Sequence, residues 1–400
     1  MKLTVYPSRL EGSVRVPSSK SHLHRLLIAS ALSEKPTDLS YSGAGEDIEA
    51  TARCLEALGA VIRGTDGGCT VTPINRHENS LLDCGESGST LRFLLPVTAA
   101  LGLQSRFTGS GRLPQRPIAP LVRALNAHGA EIIGEALPLE LRGRLRGGRY
   151  EIPGNISSQF VSGLLFALPL CEEDSEIVLT SPLASAAYAD MTAACLRTFG
   201  IEIHAIKEGY SVRGGQKYLS PTSISAEGDW SAAAFWLAAN FLGSRVRAEG
   251  LSFDSRQPDR AAEELFSRVG GTVDIGGCPD LLPVFAVCAG RREVVTRVTG
   301  GARLRLKESD RLASAAAMLN ALGTRAAETE DGLLIEGVRS YRSCEVNGFS
   351  DHRVVMAAAV AALGADGPVT ISDCESVGKS YPAFFDDFER LGGKIRRKED

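Results

Sequence analysis

Lys20 and Arg25 stand five residues apart in the stretch Pro17-Ser18-Ser19-Lys20-Ser21-His22-Leu23-His24-Arg25, which runs into an apolar segment, residues 26–32. Serine hydroxyls ahead of an apolar run make a good helix start, because they can accept from the orphan amides of the first turn. Lys20 then falls at the positive end of the helix, with Arg25 about one turn inside it. A helix N-terminus carrying two cations suits a phosphate or a carboxylate. A plain capped helix with two solvated cations has the same local sequence. What favours the anion site is that the chain repeats the device.

Gly85-Glu86-Ser87-Gly88-Ser89-Thr90-Leu91-Arg92 opens a second apolar run, with glycines that let a ligand approach the backbone and an arginine that offers a fixed fork of donors. A tight turn would use the same glycines. Arg116 precedes Pro117, which suits a first helical turn. Ser157-Ser158-Gln159 brings two hydroxyls and an amide to a third helix start, where a cap needs only one, and Ser185 and Tyr188 follow on the next loop. Asp229 reads as a cap. Asp280, between Pro279 and the apolar run 281–289, reads as a cap or as a reactive carboxylate. Lys307-Glu308-Ser309-Asp310-Arg311 packs four charges into five residues. Asp351-His352-Arg353 heads another apolar run, and Lys379 precedes the last amphipathic segment.

The elements that must position these residues recur along the chain. A helix-like run closed by glycine and followed by a strand-like run occurs six times, at Gly59, Gly129, Gly200, Gly270, Gly323 and Gly392; the intervals are 69 to 71 residues except one of 53. Glycine just past a helix end accepts the left-handed conformation that closes it. A second series of apolar segments begins near Ser21, Ser89, Ser158, Ser231, Asp280 and Asp351. Residues 164–170, 232–241 and 354–363 are apolar nearly all round, as in buried helices. Short strands are expected between them, for example at 131–133 and 201–204. Six units divide naturally into three and three, with a boundary near 226–228. The strand at 2–6 precedes the first unit and is open to joining the second half. Polar helix starts that converge would line a cleft between the halves with positive dipole ends.

Composition excludes several classes. The 44 basic and 48 acidic residues give a net charge of -4, so no general attraction to nucleic acid or membranes is expected. No apolar stretch is long enough to span a bilayer, and no basic-then-apolar leader opens the chain. Nine cysteines with no Cys-x-x-Cys pair point to a reduced, cytoplasmic protein without a metal.

Taken in order, Ser-Lys-Ser with its later Arg, Ser-Gly-Ser-Thr-x-Arg, Arg-Pro, Ser-Ser-Gln, Gly-Asp-x-Ser, Lys-Glu-Ser-Asp-Arg, Asp-His-Arg and a late Lys resemble the 5-enolpyruvylshikimate-3-phosphate (EPSP) synthase family over essentially the whole chain. The resemblance implies an α/β (α+β) protein of two similar domains, 1–13 with 228–400 and 14–227. Each domain would hold three βαβαββ repeats in an inside-out barrel, with a two-strand hinge joining the two and the active site in the cleft. It implies transfer of the enolpyruvyl group of phosphoenolpyruvate to the 5-hydroxyl of shikimate 3-phosphate, with phosphate released and no cofactor or metal. Both substrates are polyanions, which explains the many cations. Addition and elimination at the enol carbon call for proton transfer in both directions.

Carried over position by position, the resemblance assigns Lys20 to both substrates. Ser21, Arg25, Ser157, Ser158, Gln159, Ser185, Asp280 and Lys307 would bind shikimate 3-phosphate. Gly88, Arg92, Arg116, Gln159, Arg311, Arg353 and Lys379 would bind phosphoenolpyruvate. Asp280 would be the base for the 5-hydroxyl and Glu308 the proton carrier at the methylene carbon, with Lys20 or Lys379 as rivals. The 14–227 domain would hold most of the shikimate 3-phosphate site, and its partner the acid–base residues. A monomer is expected, with glyphosate as a possible competitor. Glu86, Arg303 and Ala186-Ala187 depart from the family's usual residues, and Glu86 adds negative charge beside the phosphoenolpyruvate site.

Two other readings differ in named residues. The related UDP-N-acetylglucosamine enolpyruvyl transferase pairs its first Lys with Asn and carries a loop cysteine; this chain has Lys20-Ser21 and no cysteine in 108–115. A non-catalytic polyanion-binding homologue would lack Asp280 or Glu308, and both are present.

Overall fold

All six glycines of the repeat adopt positive φ, from 75° to 103°, two or three residues past a helix end. A β-carbon is disfavoured in that conformation, so these positions stop their helices. The computed structural model describes residues 1–75 and 80–398. At Gly200 the closure also moves the next strand. The Ile201 amide donates back to the Leu196 carbonyl at 3.0 Å, so the strand runs Ile203–Ile206 and not 201–204.

One repeat shows the plan. Strand Ser80–Asp83 leads through helix Gly88–Leu101 to a parallel strand, Ser105–Thr108; helix Ala119–Asn126 then leads to a hairpin, Ala130–Ile133 with Leu139–Gly143. In the sheet the later hairpin strand lies against Ser105–Thr108 and the earlier one takes the edge. The sheets around Ser175–Leu179 and Val295–Thr299 repeat this order. Two sheets borrow a strand from far along the chain. Ser223–Ser225 pairs with Thr37–Ser40, and Lys2–Tyr6 lies between Val369–Ile371 and Lys394–Lys398.

One copy is reduced, which corrects the expectation of six equal βαβαββ repeats. Strand Glu11–Arg15 pairs with Arg245–Glu249 in a two-stranded sheet. Among the described residues no hairpin follows helix Ala262–Ser267, and the chain passes directly to strand Thr272–Asp274. The missing hairpin accounts for the interval of 53.

Two compact units result, residues 1–19 with 227–400 and residues 20–226, each with its own hydrophobic core. The first crossing falls after Ser19 and not after residue 13, because Glu11–Arg15 is bound to Arg245–Glu249. In the first unit, helices Trp230–Phe241, Leu282–Gly290 and His352–Ala362 pack against one another in all three pairs. Every residue of the latter two is buried. At roughly 1.5–3 kcal/mol for each large apolar side chain, this burial is the main support of the unit.

In the second unit, helices Gly88–Leu101 and Ser158–Ala167 touch closely. A β-carbon on Gly163 would sit 2.1 Å from the Arg92 carbonyl oxygen, so only glycine fits. Pro96, which has no amide to offer that carbonyl, lies at the same contact. Helix ends are also fixed by side chains. Asn126, Asn240 and Asn320 each clasp the residue six positions on, donating to its carbonyl and accepting from its amide at 2.7 to 3.0 Å. Among the described residues no helix is long and apolar enough to cross a membrane.

Candidate active site

In the unit of residues 20–226, three helix starts hold the predicted polar residues. Helix Lys20–Leu32 begins at Lys20 itself, whose ammonium meets Asp47 Oδ2 at 2.7 Å. Arg25 is buried and clamped, with Nε to Thr192 Oγ1 at 2.8 Å, Nη2 to the Tyr188 carbonyl at 2.9 Å, and Nη1 to the Ser21 carbonyl at 2.5 Å. Its guanidinium lies 5.2 Å from the Phe93 ring centre. Burial lowers its pKa to about 10. Burial and the Arg25 charge bring His22 down to about 4, and burial with Lys20 and Arg25 holds His24 well below the usual histidine range. Both imidazoles are therefore neutral at pH 7, and the net field here is positive.

At the second start Ser87, not Ser89, is the cap, accepting from the Thr90 amide at 3.2 Å. Ser89 instead accepts from Gln159 Nε2 at 2.9 Å, while Gln159 Oε1 accepts from Arg92 Nη1 at 2.8 Å. Arg92 Nη2 donates to the Pro117 carbonyl at 2.8 Å, so helices 88–101 and 158–167 and the Arg116-Pro117 loop are tied through one buried guanidinium. Gly88 packs against this group. A β-carbon there would lie 2.6 Å from Arg92 Nη1 and 2.8 Å from Arg116 Nη2. Two cations thus converge on one α-carbon, an arrangement that an anion relieves.

Ser157 caps the third helix through the Gln159 amide at 3.3 Å. The hydroxyls of Ser21 and Ser158 make no hydrogen bond among the described residues, which leaves both able to donate to a ligand. Ser185 is held at φ 55° and ψ 49°, uncommon for a residue with a side chain, and its carbonyl accepts from the Tyr188 amide at 3.1 Å.

The unit of residues 1–19 and 227–400 carries Asp280 and Glu308, the two residues expected to move protons. Asp280 lies in a short turn, Pro279–Leu281, and caps nothing. Its Oδ1 accepts from Arg311 Nη1 at 2.6 Å and lies 3.5 Å from Lys307 Nζ; its Oδ2 accepts from Arg353 Nη2 at 3.0 Å. Burial alone would raise the Asp280 carboxyl. The charges of Arg353, Lys307 and Arg311 outweigh burial and hold it well below the usual carboxylate range.

Arg311 is the hub. It is 1% exposed, and besides Asp280 it donates to Glu308 Oε2 at 2.7 Å and to Asp351 at 2.8 and 3.4 Å. Four of its five N–H groups are engaged by carboxylates. Asp351 is fully buried; it caps its helix through the Arg353 amide at 3.0 Å and accepts from Ser309 Oγ at 3.0 Å. Lys379 Nζ donates to the Ser350 carbonyl at 2.9 Å, which places it beside the same helix start.

Sequence reasoning missed Asp47, Thr51, Thr90 and Asp259. The hydroxyls of Thr51 and Thr90 meet at 2.6 Å and link His24 to Ser87 through the core. Glu46-Asp47 looks like any acidic first turn, and nothing local marks Asp259. Of the departures noted above, Glu86 lies against Gly111, where a β-carbon would fall 2.1 Å from its carboxylate oxygen. Arg303 Nη2 donates to the Gly276 carbonyl at 3.0 Å, tethering the loop ahead of Asp280.

The family profile for EPSP synthase (3-phosphoshikimate 1-carboxyvinyltransferase) matches residues 5–276 and 268–388. A 3-phosphoshikimate 1-carboxyvinyltransferase of Clostridium acetobutylicum is 38% identical over 419 residues, covering 98% of this chain and 97% of its relative. An EPSP synthase structure from Acinetobacter baumannii superposes with a TM-score of 0.82 at 26% identity, covering 99% and 100% of the two chains. The enolpyruvyl transferase NikO from Streptomyces tendae shares the fold, with a TM-score of 0.79 at 18% identity. With its sequence matched nearly end to end and its cations and carboxylates gathered at the starts of repeated helices, the chain belongs to the EPSP synthase family.

Proposed function

We propose that the protein transfers the enolpyruvyl group of phosphoenolpyruvate to the 5-hydroxyl of shikimate 3-phosphate and releases phosphate, as a monomer in the cytoplasm. The observation that carries this reading is the setting of Asp280, a carboxylate that caps no helix and lies among Lys307, Arg311 and Arg353. A carboxylate among cations is arranged to meet an anionic substrate that must lose a proton.

In this reading Arg25, Ser21, Ser157, Ser158 and Ser185 hold shikimate 3-phosphate, and Gly88, Arg92, Arg116, Arg311, Arg353 and Lys379 hold phosphoenolpyruvate. Lys20 and Gln159 serve both ligands. Asp280 takes the hydroxyl proton, and Glu308, fixed by Arg311, carries the methylene proton. Arg92 and Arg116 belong to one unit, and Asp280, Glu308, Arg353 and Lys379 to the other. A phosphonate such as glyphosate would compete for the anion pocket of Arg92 and Arg116.

Phosphate release by the purified protein given both substrates, compared with either alone, tests the reading. Release that needs both supports it; release from phosphoenolpyruvate alone, or none at all, overturns it. Gly88→Ala gives a sharper check. The added methyl meets the guanidinium ends of Arg92 and Arg116, and a thermal melt checks that the variant is folded. Charge-assisted contacts are worth roughly 1.5–3 kcal/mol, so the KM for phosphoenolpyruvate is expected to rise about tenfold or more. Shikimate 3-phosphate should bind as before; equal weakening of both ligands would count against the pocket.

A further inference from the structure

Arg25 and Arg311 are both buried, but they are held in different ways. Arg311 lies among the carboxylates of Asp280, Glu308 and Asp351, which offset its charge. Arg25, 2% exposed, meets only uncharged acceptors, the Thr192 hydroxyl and the carbonyls of Ser21 and Tyr188. Among the described residues no carboxylate pairs with it. A buried cation without a counter-ion is costly, and an anionic ligand supplies what the fold withholds.

Of the three acceptors, Thr192 supplies the one side chain. It is fully buried and stands one turn after Tyr188 on helix Ala186–Thr198. Its Oγ1 accepts from Arg25 Nε at 2.8 Å, and its single hydrogen goes to Ser162 Oγ at 2.8 Å or to the Tyr188 carbonyl at 2.9 Å. Either choice leaves the hydroxyl able to accept from Nε. Ser162 lies on helix Ser158–Ala167, so Thr192 joins the three helices that begin at Lys20, Ser158 and Ala186. Three of the five N–H groups of Arg25 are used in this clasp, which leaves one on each terminal nitrogen for a ligand.

We propose that Thr192 is a positioning residue for shikimate 3-phosphate: its hydroxyl holds Arg25 in place without neutralising it, so the guanidinium charge stays available to the ligand anion. The inference rests on the assignment of Arg25 to that substrate above. A carboxylate at position 192 would hold the guanidinium more firmly but would compete for its charge. An alkyl side chain would leave the charge but release the grip, and would strand a buried Nε–H without an acceptor. Threonine avoids both faults. Without the anchor the guanidinium samples other geometries, and the ligand must order it on binding.

Two substitutions separate the hydroxyl from the packing. Thr192→Val keeps the shape of the side chain and removes the acceptor, whereas Thr192→Ser keeps the hydroxyl and removes a buried methyl. In Thr192→Val the KM for shikimate 3-phosphate, and its Kd by calorimetry without phosphoenolpyruvate, should rise about tenfold, with kcat and the KM for phosphoenolpyruvate unchanged. Thr192→Ser should bind shikimate 3-phosphate as the wild type does, although the lost methyl lowers its melting temperature. Thr192→Ser weakened as much as Thr192→Val, Thr192→Val unchanged, or both substrates weakened alike would each overturn the proposal. NMR of the nitrogen-labelled protein reads the anchor directly and needs no substrate. The Arg25 Nε–H signal, assigned by its loss in Arg25→Lys, should be protected from solvent exchange in the wild type and in Thr192→Ser, and should lose that protection in Thr192→Val. Protection kept in Thr192→Val overturns the proposal, as does wild-type exchange as fast as that of a solvated arginine, which depends on no variant at position 192 folding. If the wild type binds no shikimate 3-phosphate, the proposed reaction fails, and the Nε–H signal then decides the role of Thr192 by itself.

Discussion

Asp280→Asn is expected to cut turnover by about 10² to 10⁴, the usual worth of general acid–base assistance, while leaving the anionic substrates bound at least as tightly. The amide keeps the size of the carboxylate and removes one negative charge from among Lys307, Arg311 and Arg353. Those cations then face the ligand without an internal competitor. A carboxylate held so far below its usual range is a weak base as it stands. A substrate anion that drew Arg353 and Lys307 toward itself would return basicity to Asp280 and couple binding to proton transfer. Steady-state kinetics separates the roles. Lower kcat with unchanged or lower KM supports the base, whereas unchanged kcat with raised KM shows that Asp280 only orders the cations. Glu308→Gln should lower turnover as well, and should also remove solvent deuterium exchange into the methylene of recovered phosphoenolpyruvate.

Arg311→Met is expected to have the largest effect on stability. The guanidinium is the common partner of Asp280, Glu308 and the fully buried Asp351, and its removal strands carboxylates that stay buried. Breaking a buried pair in this way costs about 3–5 kcal/mol, which lowers the melting temperature of the affected unit by roughly 6–20 °C. The pH dependence should change sign. In the wild type, burial would raise the Asp351 carboxyl, but Arg311 outweighs it and the folded value is depressed. That stabilisation is present above the unfolded value of about 3.9 and is lost as pH falls through the folded one. Without Arg311, burial and the Glu308 charge raise the Asp351 carboxyl, with His352 as the lowering charge that remains. The native variant then binds protons more readily than its unfolded chain, and its stability should increase as pH falls toward about 5. Calorimetric melts at neutral and mildly acid pH test both statements. A variant that melts like the wild type, or loses stability faster in acid, would show that Arg311 does not hold these groups.

Much of this protein is written in local signals. The glycines at helix ends, the apolar runs and the polar residues before them marked the repeats and the elements that carry each candidate residue, because capping, helix termination and amphipathicity act within a few positions. The class of ligand was legible for the same reason, since Lys20, Arg92 and Arg353 stand at or just inside helix starts. What remained closed was the partner of each side chain. Asp229, Asp310 and Asp351 cap helices, as the sequence permits for any acid before an apolar run, yet Asp280 in the same kind of position does not. Its partners lie 31 and 73 residues away, at Arg311 and Arg353. Arg311 read as a ligand-binding arginine, and only the packing of the turn at 279–281 against the starts of helices 311–321 and 352–362 surrounds it with carboxylates. Asp47 and Asp259 carried no signal at all. Charge and burial act over distances of a few ångströms in space, and only tertiary packing decides which residues, scores of positions apart, come within them.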